Sequence, residues 1–87
     1  MKLQDYINND NELKNADLQG ISAIELNGEV QDISIEKRNE DIKVVKVRFA
    51  GYDNAETHPM LRNPKNNGWI TIRFDYEGGE WFFYDYE

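Results

Sequence analysis

Eighty-seven residues without a single cysteine make one domain, residues 1–87, because a chain of this length buries only about 60 to 65% of its unfolded surface. No disulfide framework or thiolate metal site is available as a staple, so apolar contacts must hold the fold together. The net charge of −7 argues against general attraction to nucleic acid or anionic lipid, whose surfaces repel such a chain.

The chain starts Met1-Lys2-Leu3-Gln4-Asp5 and has no apolar run of seven or more, which speaks against a secretory signal or a membrane-spanning helix. A cytoplasmic location is expected. Leu3, Tyr6 and Ile7 recur at helical spacing, and Leu13, Ala16 and Leu18 extend the apolar stripe beyond Asn8-Asn9-Asp10-Asn11, so two short helical pieces are predicted. Asp10 or Asn11 is placed to cap the second piece and Gly20 to end it.

From Ile21 the period changes to two. Ile24 and Leu26 alternate with polar residues up to Asn27-Gly28, a strong signal for a two-residue hairpin turn, because both central positions of a type I′ turn need positive φ. A first hairpin is therefore expected here, with Ile24, Leu26, Ile33 and Ile35 on one face. A turn at Arg38–Asp41 leads to a strand from Ile42 to Ala50. A five-residue connection aligns Ile33 with Val47 and Ile35 with Val45 and leaves Lys46 and Arg48 in water, which is preferable to burying them.

Residues 51–68 form a long polar loop punctuated by Pro59 and Pro64, and loops of this length are often functional. Trp69 to Tyr76 and Trp81 to Tyr86 then form a last hairpin around Gly78-Gly79. A two-residue turn sets Tyr76 opposite Trp81, Phe74 opposite Phe83 and Arg73 opposite Tyr84. One face carries Ile70, Ile72, Phe74, Trp81 and Phe83; the other carries Trp69, Arg73, Phe82, Tyr84 and Tyr86, more aromatic surface than a solvated sheet face needs. The expected fold is α+β: a short N-terminal helical segment packed on an antiparallel sheet of about five strands, a meander with two tight hairpins. The last strand is expected to present an unprotected edge, which leaves a homodimer open.

Catalytic machinery is not visible. Two serines fall in predicted strands, and the single histidine, His58, has no pattern tying it to a nucleophile. Asp53, Asn54 and Glu56 lack the glycine and terminal glutamate of a calcium loop, and Gly78-Gly79 joins two strands and does not open a phosphate-binding helix. No catalytic residue, metal or cofactor is expected, and a non-enzymatic binding role is.

Charge runs acidic, basic, acidic along the chain. Residues 1–41 hold ten acids and four bases, residues 42–74 two acids and six bases, and residues 75–87 five acids and no base. The basic stretch of Lys43, Lys46, Arg48, Arg62, Lys65 and Arg73 beside an aromatic face is what a single-strand nucleic-acid binder uses, but the flanking acids oppose it. Conversely, Asp75, Glu77, Glu80, Asp85 and Glu87, together with Asp10, Glu12 and Asp17, suit a hot-spot interface with an acidic rim. The expected partner-binding residues are Trp69, Arg73, Asp75, Glu77, Glu80, Trp81, Phe82, Tyr84, Asp85 and Tyr86.

With its acidic aromatic tract Glu80-Trp81-Phe82-Phe83-Tyr84-Asp85-Tyr86-Glu87, the chain resembles, as a class, the small acidic cysteine-free inhibitors encoded by phages and mobile elements, including anti-CRISPR proteins and DNA mimics. That resemblance implies a protein partner with a basic surface, such as the nucleic-acid channel of a Cas9-type nuclease. The basic central segment departs from a uniform DNA mimic. The alternatives are an immunity protein that neutralises a cognate toxin, a small single-stranded nucleic-acid binder, and a structural or regulatory phage component.

Overall fold

The computed structural model describes all 87 residues. Helix α1, Leu3–Asn8, buries Leu3 and Ile7, and Asp5 in its first turn accepts the Lys2 N–H at 3.2 Å. The Asp10 carboxylate accepts the N–H groups of Glu12 and Leu13, both at 2.9 Å, as a cap should. The predicted second helical piece nevertheless stops after one turn, closed by Lys14 N–H to the Asp10 carbonyl at 2.9 Å. Its continuation is pulled straight by the last strand: Asp17 N–H donates to the Trp81 carbonyl and Phe83 N–H donates to the Asp17 carbonyl, each at 2.9 Å.

The predicted hairpin at Asn27-Gly28 is absent. Ala23–Leu26 is a four-residue helix, α2, capped by Ser22, whose hydroxyl accepts the Ile24 N–H at 3.2 Å. Leu26 and Asn27 N–H groups return to the Ser22 and Ala23 carbonyls, both at 3.0 Å. Asn27 sits at φ −92°, ψ 0°, outside the positive-φ region that a type I′ turn requires. Gly28 is needed for a different reason, since a Cβ there would lie 2.6 Å from the Phe49 ring. Helix formation turns Ile24 outward and buries Glu25, the reverse of the expected alternation.

The sheet therefore has four strands, not five: β1 (Val30–Asn39), β2 (Ile42–Phe49), β3 (Ile70–Glu77) and β4 (Glu80–Tyr86), an antiparallel meander in the order β1-β2-β3-β4. Ile33 pairs with Val47 and Ile35 with Val45, the register expected from a five-residue connection, and Lys46 and Arg48 lie on the outer face. The last hairpin pairs Tyr76 with Trp81 and Phe74 with Phe83, and both turn glycines have positive φ, 63° and 85°.

Beyond Phe83 the pairing departs from expectation. A bulge at Arg73/Phe74 makes Tyr84 an extra residue, so Arg73 faces Asp85 and Ile72 faces Tyr86. One inserted residue moves every later side chain to the other face. Tyr86 consequently belongs to the inner face and not to the outer aromatic face.

Leu3, Ile7, Leu13, Val45, Val47, Phe49, Ile72 and Phe74 are fully or almost fully buried between the inner face and the N-terminal segment. Each such side chain contributes roughly 1.5 to 3 kcal/mol relative to exposure, which is how so short a chain manages without staples. The long connection is not structureless: Pro59–Leu61 and Pro64–Asn66 form two 3-10 turns capped by His58 and Asn63. The expected free edge of β4 is occupied at its centre by Asp17. No helix is long and apolar enough to cross a membrane.

Candidate protein-binding surface

The alternation of β2 and β3 places Lys46, Arg48 and Arg73 on the outer face, where each meets a carboxylate from its own chain. Lys46 reaches Glu36 at 3.3 Å. Arg48 pairs with Asp32 and is held between the rings of Tyr52 and Trp69, 4.8 and 4.7 Å from their centroids. Arg73 makes a two-pronged bond to Asp75 at 2.7 and 3.0 Å and lies 4.5 Å over the Tyr84 ring. Arg38 crosses to Glu87 at 2.7 Å, linking the first strand to the last residue. Val44, on this same outer face, is completely buried.

Lys43 points the other way, into the inner side, where its ammonium contacts Asp10 at 2.9 Å and Glu12 at 3.0 Å. Burial alone raises the Asp10 carboxyl, but the Lys43 ammonium and the Leu13 and Glu12 N–H groups outweigh it and hold it below its ordinary value. Hydrogen bonds from Lys43 and Lys37 lower Glu12 likewise. Burial also disfavours the Lys43 cation, yet its two acid partners keep its pKa above the usual lysine value. Asp10 and Glu12, expected as acids facing a partner, are thus spent on an internal cation.

Of the six cations in the basic stretch, four are consumed by intramolecular carboxylates. Arg62 donates to the Asn54 carbonyl at 3.2 Å, leaving Lys65 as the one with neither kind of partner. No continuous cationic track for a phosphate backbone results.

Part of the unpaired acid lies at one end, where Lys37 is the neighbouring cation, sharing a depression with Glu40, Tyr76 and Glu80. Glu77 and Glu80 face each other across the Gly78-Gly79 turn, and the Glu40-Asp41 turn lies alongside, tied in by Tyr76 N–H to the Asp41 carbonyl at 2.9 Å. Asp17, brought in by its bridge to Phe82, shares a shallow depression with Gln19, Glu77, Glu80, Phe82 and Phe83. Asp17, Asp41, Glu77 and Glu80 have no cation within 4.0 Å. Tyr76, exposed and 5.3 Å from the Trp81 ring, supplies apolar area beside them.

The ten expected partner-binding residues are divided by the fold. Glu77, Glu80 and Phe82 lie at the acidic end. Arg73, Asp75 and Tyr84 form a self-satisfied cluster on the outer face, with Asp85 exposed beside it. Trp69 sits at the opposite end on Arg48, Trp81 is a core residue only 7% exposed, and Tyr86 has turned to the inner face. There its phenol donates to the buried Glu25 carboxylate. Burial raises the Glu25 carboxyl, and burial together with the Glu25 bond pushes the Tyr86 phenol up to about 12. Glu40, Asp41 and Tyr76 join the acidic end without having been expected there; only the meander order, which puts the β1-β2 and β3-β4 turns at the same end of the sheet, could have revealed them.

Compared with protein-family models, curated proteins and solved structures, the chain has no match.

Proposed function

We propose that this protein is a stoichiometric, non-enzymatic inhibitor that docks its acidic hairpin end on a basic, nucleic-acid-binding surface of another protein in the cytoplasm. One observation carries this reading: four of the six cations of residues 42–74 are paired with carboxylates of the same chain, while four carboxylates without a cation within 4.0 Å, Asp17, Asp41, Glu77 and Glu80, lie with Tyr76 and Phe82 at the hairpin end. Such a pole speeds encounter with a basic partner and repels acidic ones, and the aromatic groups supply the area that excludes water. The class resemblance to phage-borne inhibitors makes a defence nuclease of the Cas9 type the natural target. Direct binding of single strands is disfavoured by the same neutralised cations.

The test is affinity capture from host lysate with the tagged chain, followed by salt challenge and competition with a labelled oligonucleotide. A captured nuclease that releases with salt and loses its oligonucleotide to the inhibitor is the expected result. A captured toxin that handles no nucleic acid favours the immunity reading instead. Capture of nucleic acid alone contradicts both.

A further inference from the structure

The two edges of the sheet are not alike. The β4 edge is closed at its centre by Asp17, which bonds Trp81 and Phe83. At the β1 edge, Val30 N–H donates to the Met1 carbonyl at 3.0 Å, and beyond it no loop or terminus bonds the backbone of Ile33 or Ile35.

The alternation of an antiparallel ladder shows where those groups point. Tyr76 N–H bonds the Asp41 carbonyl, so by alternation Lys43, Val45 and Val47 bond β3, and Val44, Lys46 and Arg48 bond β1. Their β1 partners are Glu36, Ser34 and Asp32. The residues between them, Ile33 and Ile35, therefore direct N–H and carbonyl groups out of the sheet. Irregularities at Val30/Asp32 and Lys37/Asn39 bound this segment on both sides, leaving a regular stretch from Asp32 to Lys37. An unpaired stretch of this kind is a template for strand addition.

Side chains decide what fits. The inner side offers Ile33 and Ile35, half-buried against the core. The outer side offers Asp32 and Glu36, with side chains 42% and 44% exposed although each has one cationic neighbour. A second copy is a poor occupant. Antiparallel self-pairing with Ile33 against Ile35 sets Asp32 against Glu36 twice, between two bodies of charge −7, and like charges directly opposite are destabilising. Shifting the register by one pair in either direction sets an isoleucine against Lys37 or Gln31 instead.

We propose that the β1 edge accepts an extended segment of a different protein in which basic residues alternate with β-branched apolar ones. The basic residues lie opposite Asp32, Ser34 and Glu36, and the apolar ones extend the row of Ile33 and Ile35. This surface is separate from the acidic hairpin end and does not depend on the inhibitor reading.

The experiment uses the full chain, labelled with nitrogen-15, and a capped peptide of four Lys-Val repeats. Amide hydrogen exchange is followed residue by residue. The peptide is expected to slow exchange at Ile33 and Ile35 at least tenfold, while the same peptide with its valine amides N-methylated, equal in charge but unable to pair on that edge, leaves both unchanged. Equal effects from the two peptides overturn the proposal in favour of unspecific charge attraction. No slowing at millimolar peptide overturns it outright. Slowing that grows with protein concentration in the absence of peptide assigns the edge to a second copy and also overturns it.

Discussion

The phenol of Tyr86, next to last in the chain, donates a hydrogen bond to the carboxylate of Glu25, sixty-one residues earlier and only 4% exposed. Ser22 N–H approaches the same phenol oxygen at 3.5 Å. The bond exists because two local features coincide: the α2 turn that buries Glu25 and the β4 bulge that swings Tyr86 inward.

Removing the phenol by Tyr86→Phe takes one donor from a buried carboxylate and should cost about 1 to 3 kcal/mol in chemical denaturation. Glu25→Gln keeps an acceptor without a charge and should be neutral or stabilising at neutral pH. The signs follow from linkage. The Glu25 pKa is raised in the fold, so the native state holds a proton that the unfolded chain releases, and stability falls as pH rises from the unfolded value through the folded one. Glu25→Gln should abolish that fall. The Tyr86 phenol is raised from 10.0 to about 12, so its contribution is intact below 10 and lost between 10 and about 12. Tyr86→Phe should lack this alkaline loss; a loss of equal size in the variant contradicts the assignment.

The Lys43 cluster acts on the acid side. Asp10 and Glu12 are lowered in the fold, so their stabilisation is present above their unfolded values and lost as pH falls through the lowered ones. Lys43→Met should cost roughly 2 to 3 kcal/mol, the scale of a charged hydrogen-bond network that is largely shielded, and should flatten the acid limb of a stability–pH curve. An acid limb as steep as in the parent places the acid sensitivity elsewhere.

Gly28 is constrained by its neighbour and not by its backbone. Gly28→Ala puts a methyl into the Phe49 ring and should cost about 1 to 3 kcal/mol, as overpacking does. In a Phe49→Leu background the added cost should shrink, because residues in contact couple. Equal costs in both backgrounds, measured by urea denaturation, would mean that the ring is not what excludes a side chain there.

Much of the sheet was legible because period-two patterns and tight turns are local. The Ile33–Val47 register and the Gly78-Gly79 hairpin follow from the strand alternation and from turn chemistry. The first hairpin failed because Asn27-Gly28 reads equally as a helix end. Ser22 and Glu25, three apart, form the helix-start pattern that marks the alternative. The bulge at Arg73/Phe74 has no local signature, so the face of Tyr86 could not be read, nor could its bond to Glu25. The candidate surface was legible as an acidic, aromatic C-terminus. Its composition was not, because which acids remain unpaired depends on where Lys43, Arg48 and Arg73 find their carboxylates in space.

Docking through the acidic hairpin end is tested by parallel capture from one host lysate with three tagged chains: the parent, the Glu77→Lys/Glu80→Lys variant and a Tyr84→Ala variant on the outer face. If the acidic hairpin end is the interface, the parent and Tyr84→Ala retain the same salt-sensitive, nucleic-acid-binding protein, whereas the charge reversal at the acidic rim weakens its capture about tenfold or more. Retention by the charge-reversed chain at parental level, or loss with Tyr84→Ala alone, would place the interface away from the acidic hairpin end.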